Sequence, residues 1–333
     1  MTAAPVFFGR AGGREVYKYV LRNARGTQAA ILTLGGIIQE FSIWQNGVRR
    51  QLVVSLDNAE SYVCNPFQIN KQIGRVAGRI QNASFEINGQ VYRVPANEGR
   101  HALHGGANGL GSQILEASAA DPQELALSTV LQEAADGYPN NLKLTIRYRL
   151  TDDNRLEVHY QAEAEGDTVF DPTVHIYWQL AEGLGNGRLN IPAGRHIPAD
   201  SEKLPAYPPY PENALFDFSD GRQLDEAVAQ LRANMPRQGF DDIYQVEPNL
   251  NRPAAVLEMV DGCRIKIFSD RNGLVLFTAC PANPAKHNQG IYDALATEAQ
   301  TLPNSLHRPE FGEIRMRGGE TKQTTIVYQI ETH

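Results

Sequence analysis

The sequence is short of cysteine, of surplus positive charge and of long apolar runs. Its three cysteines, Cys64, Cys263 and Cys280, form no CxxC pair and are too few for a disulfide framework. Cys280 ends a very apolar run and is expected to behave as a small core hydrophobe. The longest apolar run, Ala29 to Ile38, is about ten residues against the roughly 18–20 needed to span a bilayer, which excludes a membrane-spanning helix. Lys and Arg number 31 against 38 Asp and Glu, a net charge of −7, with no basic stripe to offset it. An acidic surface repels phosphate backbones, so nucleic acid is not an expected partner. The opening Met1-Thr-Ala-Ala-Pro5-Val-Phe-Phe has no basic stretch and only a short apolar patch. No signal peptide is predicted, and a cytoplasmic setting is the expectation.

Nucleotide-binding signatures are also missing. There is no Walker A sequence, and no GxGxxG follows a strand; the glycines from His104 to Gly111 have the wrong spacing. His101 and His104 stand three apart, as a metal pair on a helix would. The Gly105-Gly106 that follows disfavours a helix, and no acidic or cysteine partner is near, so no metal site is predicted.

What remains is a chain of 333 residues, 42% hydrophobic and 21% charged, enough to build a sizeable core. Helical periodicity is scarce, with Leu224 to Ala233 the best candidate. Alternation with period 2 dominates. Leu142, Leu144, Ile146, Tyr148 and Leu150 alternate with Lys143, Thr145, Arg147 and Arg149. After Asp152-Asp153-Asn154 the alternation resumes with Leu156, Val158, Tyr160, Ala162 and Ala164. This predicts a long antiparallel hairpin with one wet face. Phe85 to Tyr92 carries Asn88-Gly89, which suits a two-residue hairpin turn. Cys263 to Ser269 and Leu274 to Cys280, flanking Asp270 to Gly273, read as another hairpin. Thr324 to Ile330 reads as a closing strand. Five prolines between 198 and 211 predict a stiff insertion loop, without a composition shift on either side. The expected architecture is all-β: one large twisted antiparallel β-sandwich over residues 1–333, with the Pro-rich insertion at about 198–211.

Three local patterns carry chemistry. In Asp171 to Leu180, Val174, Ile176, Trp178 and Leu180 fall on one strand face and Thr173, His175, Tyr177 and Gln179 on the other. A face that mixes aromatic and hydrogen-bonding groups suits a sugar ring, with its apolar faces and hydroxyl rim. A plain surface strand fits the same pattern. In Ala294 to Gln300, Glu298 sits among small residues with no nearby cation. Desolvation there would raise its pKa and make it a base near neutrality, although an exposed edge-strand Glu reads identically. In Gly74-Arg75-Val-Ala-Gly78-Arg79-Ile80, glycines beside arginines suggest backbone bent close to a ligand with guanidinium groups available, or simply a solvated basic turn.

Taken in order, these segments resemble the aldose 1-epimerase (galactose mutarotase) family. The anchors are Gly74 to Ile80, the Phe85–Tyr92 hairpin, Leu103-His104-Gly105-Gly106, Val174-His175-Ile-Tyr-Trp-Gln-Leu180, Gly239-Phe240-Asp241-Asp242 and Thr297-Glu298-Ala-Gln-Thr-Leu-Pro303-Asn-Ser. The resemblance covers about residues 10 to 330. It implies a large β-sandwich and interconversion of the α and β anomers of an aldose, with no metal or other cofactor. It also implies roles. Glu298 would be the general base at the C1 hydroxyl and His175 the general acid at the ring oxygen. His104 would be a second histidine contacting the sugar, and Arg79 and Asp241 would hold the substrate.

Ring opening removes a proton at O1 and delivers one at O5, which requires two groups, and a histidine with a carboxylate meets that need. The chain departs from the family at Gly78 and Val174, where Asn is usual, and at Val275, where Gln is expected. The identity of the sugar is therefore left open. Other readings are a hexose-6-phosphate epimerase with Arg75, Arg79 and Arg100 as a phosphate cradle, a non-catalytic sugar-binding module, and a glycoside hydrolase using Asp241 with Glu298.

Overall fold

A computed structural model describes residues 4–206 and 213–332. Alternating sequence becomes alternating burial. Leu142, Leu144, Ile146, Tyr148 and Leu150 are buried, while Lys143, Arg147 and Arg149 are exposed. The strand Leu142–Leu150 pairs residue for residue with Arg155–Ala164, from Leu142↔Ala164 to Leu150↔Leu156. Each apolar side chain so buried contributes roughly 1.5–3 kcal/mol.

This hairpin belongs to a nine-stranded antiparallel sheet. The final strand, Thr321–Glu331, lies within that sheet, between Arg155–Ala164 and Arg264–Ser269. A five-stranded sheet runs in the spatial order Ile176–Gln179, Ala294–Gln300, Gly273–Ala279, Asp241–Gln245, Arg195–Ile197. Another five-stranded sheet comprises the first five strands, Val6–Ala11 to Val48–Gln51, in sequence order. The main hydrophobic cluster joins them: Ile31 and Phe41 from the first strands, Tyr148 and Tyr328 from the nine-stranded sheet, Trp178 and Leu276 from the other. The all-β sandwich architecture is the one the alternation predicts.

Asn88 and Gly89 both have positive φ, 51° and 81°, and close the predicted turn between Ser84–Ile87 and Gln90–Arg93. The helix Leu224–Asn234 buries Leu224, Ala227, Val228 and Leu231. Cys280 is buried, as expected of a small core hydrophobe. Of the Pro-rich stretch, Pro198 and Pro205 lie in described chain, where Ala199 pairs with Pro205. Pro208, Pro209 and Pro211 lie outside the described residues. Among the described residues no helix is long and apolar enough to cross a membrane.

The hairpin expected from Cys263 to Cys280 does not form. Arg264–Ser269 pairs with Ala255–Met259 and Thr321–Glu331, whereas Gly273–Ala279 pairs with Asp241–Gln245 and Ala294–Gln300. The intervening residues turn the chain from one sheet into the other. Asp270 accepts hydrogen bonds from Thr324 Oγ1 (2.6 Å) and Thr325 N (2.9 Å) in the nine-stranded sheet. Arg271 instead points inward to Asp171 and the Pro172 carbonyl. The chain turns here, but the partners of the turn are non-local.

Candidate active site

Two strands carry the central groups. Alternation in Asp171 to Leu180 sends Val174, Ile176, Trp178 and Leu180 into the main core, and His175 and Tyr177 line a cavity on the other face. Beside them runs Ala294–Gln300, all seven residues buried, with strands on both flanks. Glu298 is thus an interior carboxylate and not an edge-strand one. The two strands are tied by Trp178 Nε1 donating to Thr297 Oγ1 (2.9 Å) and Thr173 Oγ1 donating to the Ala299 carbonyl (2.8 Å).

A tight loop supplies the third group. His104 holds φ +55°, a left-handed conformation uncommon for non-glycine residues. Gly105 follows at φ +79°, and a Cβ there would stand 1.9 Å from the Gly74 carbonyl oxygen. Only glycine lets the loop sit that close. The Gly78 N–H donates to His104 Nδ1 (3.2 Å), so the neutral tautomer that fits carries its proton on Nε2.

These groups converge. His175 Nε2 lies 3.6 Å from Glu298 Oε1, and His104 Nδ1 lies 3.8 Å from Glu298 Oε2. The two imidazoles meet edge to face at 5.4 Å, and His175 stacks on Tyr177 at 4.9 Å. The Tyr177 hydroxyl donates to the Phe67 carbonyl (2.9 Å), which fixes the ring behind His175. His175 and Glu298 are 6% and 3% exposed. Burial pushes the Glu298 carboxyl up to about 8; the charge of Asp241 adds to this and that of Arg79 opposes it. Burial pushes His175 down to about 4, against the pull of its own backbone hydrogen bond and of Asp241. Burial, His175 and Arg79 hold His104 well below its usual range. His175 Nδ1 and Glu298 Oε2 are buried without hydrogen-bond partners among the described residues. The ligating atoms of His104, His175 and Glu298 lie within 4.8 Å of one another, a set that a divalent cation could also use.

The cavity around them measures about 850 Å³. Arg79 and Asp241 line it. Arg79 Nη2 donates to Glu98 (2.8 Å), and Lys203 Nζ donates to Asp241 (2.6 Å). Arg75 and Arg100 do not join them. Arg75 is fully buried, paired through two nitrogens with Asp136 and donating to the carbonyls of Leu131 and Asn140, so it is a structural staple. Arg100 faces outward to Glu202. The phosphate cradle read from these arginines does not exist. His101 also diverges from His104: its Nδ1 accepts the Asn82 N–H (3.0 Å).

The family departures now have positions. Val174 packs in the core and never reaches the cavity, so it is not part of a hydroxyl-reading shell. Val275 lines the cavity. Gly78 has φ +69°, and a Cβ there would lie 3.0 Å from Pro303 and 3.1 Å from Gln300 Nε2. The space an asparagine would need is already taken.

Two polar groups escaped the sequence reading. Gln300 is fully buried with both amide atoms unpartnered among the described residues, and it lines the cavity. Its place two residues after Glu298, on the same strand face, was the available signal. Lys71 is 6% exposed and lines the cavity without an ion pair or side-chain hydrogen bond among the described residues. The pairing Thr173↔Ile73 and Val174↔Gln72, with His175 N donating to the Lys71 carbonyl, sets Lys71 across from His175. Burial lowers its amine to about 8. No local pattern announces that pairing.

Comparison with known proteins gives the family. The profile of the aldose 1-epimerase family matches residues 17–329. The chain is 36% identical to a maltose epimerase from Levilactobacillus brevis and 31% identical to an aldose 1-epimerase from Streptococcus thermophilus, covering 96% of both partners in each case. The solved structure of a galactose 1-epimerase from Lactobacillus acidophilus superposes with a TM-score of 0.84 at 24% identity, over 99% of each chain. With a family profile spanning nearly its whole length and two such relatives above 30% identity, the chain belongs to the aldose 1-epimerase family.

Proposed function

We propose that this protein interconverts the α and β anomers of an aldose by opening and reclosing the ring, with Glu298 and His175 as base and acid and with no cofactor. The observation that carries this reading is the 3.6 Å approach of His175 Nε2 to Glu298 Oε1 on the wall of a cavity large enough for a sugar. O1 and the ring oxygen are both bonded to C1, so the groups serving them must be neighbours. Glu298 takes the O1 proton while His175 delivers one to O5. The C1–O5 bond breaks, the C1–C2 bond rotates, and reclosure runs the transfers in reverse.

The protonation of the pair suits this cycle. Between about pH 4 and about 8 the two groups hold one proton between them. In the empty cavity, burial keeps that proton on the carboxyl. The reacting form, with carboxylate and imidazolium, holds the same number of protons, so no proton need be gained or lost on binding. Asp241 favours the imidazolium electrostatically, and Arg79 favours the carboxylate.

Arg79, His104 and Asp241 hold the sugar in this reading. Lys71 and Gln300 supply further hydrogen bonds, because buried polar atoms without partners are costly unless a ligand completes them. Of the candidate phosphate-binding cations, Arg75 is unavailable and Arg79 and Lys203 are already paired with carboxylates, while Lys71 is not ion-paired among the described residues, so the phosphorylated aldose stands as the second reading. The Levilactobacillus brevis relative is named for maltose, whose reducing end presents the same O1 and O5. A cytoplasmic site of action belongs to the same reading, consistent with free thiols at Cys64, Cys263 and Cys280.

The test is polarimetry. Freshly dissolved α-glucose, α-galactose and α-maltose should reach equilibrium rotation faster with the protein than without it. Unchanged rates with all three would end the proposal.

A further inference from the structure

The registers of neighbouring strands set a row of side chains along the cavity. The pair Ile176↔Thr297 puts His175 beside Glu298, one residue further on, and the pair Val174↔Gln72 puts Lys71 on the other side of His175. Glu298 pairs in turn with Val275, and Val275 with Ile243. Residues opposed on adjacent strands share a face of the sheet, about 4.5–5.5 Å apart. Lys71, His175, Glu298, Val275 and Ile243 therefore stand in that order, and all five line the cavity.

A bulge sets the Lys71 end of the row. The Asn70 N–H donates to the His175 carbonyl (3.0 Å), and the His175 N–H donates to the Lys71 carbonyl (3.0 Å), so two residues oppose one. Asn70 takes the left-handed conformation this needs, φ +52°. The Lys71 stem passes Gly111, where a Cβ would stand 3.3 Å from its Cδ. The side chain is 6% exposed and has no carboxylate partner among the described residues. A buried ammonium without an anion is costly, and a ligand that brings the anion removes that cost.

We propose that Lys71 reads the substituent at C6 of the sugar and that the preferred substrates are aldoses carrying a carboxylate there, the alduronates. This inference rests on the epimerase reading, which sets O1 at Glu298 and O5 at His175. The direction from O1 to O5 then runs along the row toward Lys71. O5 is bonded to C1 on one side and to C5 on the other, and C5 bears C6. The group on C6 thus extends past His175 to Lys71. In the opposite direction, beyond O1, the row continues with apolar Val275 and Ile243.

Charge selects the carboxylate. Burial lowers the Lys71 amine only to about 8, so it stays an ammonium at neutral pH. The reacting form sets an imidazolium at His175 next to it. Neighbouring cations repel, and a hydroxymethyl group at C6 leaves that repulsion in place. One carboxylate cancels one ammonium. A phosphate carries about −1.5 to −2 near neutrality and would bring surplus negative charge toward the Glu298 carboxylate of the reacting form. The C6 carboxylate takes no part in bond making or breaking, so ring opening proceeds as for a neutral aldose.

The test is anomer exchange by NMR, with the uncatalysed rate subtracted, on wild type, Lys71→Met and Lys71→Arg. The sugars are xylose, which lacks C6, glucose, glucuronate and glucose 6-phosphate, with galactose and galacturonate as a second series. In wild type, kcat/KM for at least one alduronate should exceed that of its parent aldose and of glucose 6-phosphate by about tenfold or more. Lys71→Met should lower the alduronate-to-xylose ratio by about tenfold or more, whereas Lys71→Arg, which keeps the charge, should keep most of it. The exchange of xylose that remains reports that each variant is folded. A wild type that prefers both parent aldoses, or glucose 6-phosphate, to the alduronates would overturn the proposal. An alduronate-to-xylose ratio in Lys71→Met equal to that of wild type would do the same. Acceleration of no sugar would instead bring down the epimerase reading and this inference with it.

Discussion

Arg75 and Asp136 are as deeply buried as His175 and Glu298, yet the two pairs are built in opposite ways. Arg75 donates to Asp136, to the carbonyls of Leu131, Pro139 and Asn140, and to Thr168 Oγ1, so its fork is fully engaged. His175 and Glu298 face one another at 3.6 Å, each with a buried atom that nothing satisfies. The first pair is complete within the protein. The second is completed only by something that enters the cavity. Burial alone therefore does not mark a functional pair; unsatisfied burial beside a cavity does.

Substitutions can break this contrast. The largest effect is expected on catalysis. Glu298→Gln and His175→Asn should each lower kcat for anomer exchange by about 10²–10⁴-fold, measured by polarimetry, without lowering the melting temperature. A large loss of folding stability in both would make the pair structural.

Arg75→Met should do the reverse. It strands Asp136 and should cost about 3–5 kcal/mol of stability in denaturant titration, while the protein that remains folded keeps its kcat. The pH profile of kcat/KM, which reports the free enzyme's acid and base, sharpens the comparison next. Below about 4 the pair carries a second proton and the base is lost; above about 8 the pair has lost its last proton and the acid is gone. Activity should fall at both ends, and a flat profile from pH 5 to 10 would contradict the assignment.

Lys71→Met should raise KM roughly tenfold with a smaller change in kcat. It should also raise the melting temperature, because an unpaired buried ammonium is removed. The smallest effect is in stability against pH. The folded carboxyl of Glu298 titrates near 8 and its reference value is 4.5, so the folded state alone keeps this proton between those values. Its contribution to stability therefore declines as pH rises through that window. Glu298→Gln should gain in melting temperature on wild type between about pH 5 and pH 9, read by calorimetry.

Much of the fold was legible because it is local. Period-2 alternation gave the Leu142–Ala164 hairpin residue by residue, and Asn88-Gly89 gave the turn between Ser84–Ile87 and Gln90–Arg93. The same alternation put His175 and Tyr177 on the face opposite Trp178. The Asp270–Gly273 turn misled because a turn residue reports only that the chain bends. Whether the flanking strands pair depends on which other edges are already taken. Arg75 and Arg79 look alike in sequence, four residues apart with glycine before each. One reaches Asp136 in the interior and the other reaches Glu98 at the cavity, a difference set by residues far along the chain.

The sequence by itself determined the main strands and their inward and outward faces, because these depend on near neighbours, and it supplied a histidine and a carboxylate of the types that proton transfer uses. Tertiary structure decided that His175 and Glu298 meet, that Lys71 stands opposite His175, and that burial moves their protons. Those outcomes depend on solvent exclusion and on partners from distant strands, and neither is present until the sheets have packed.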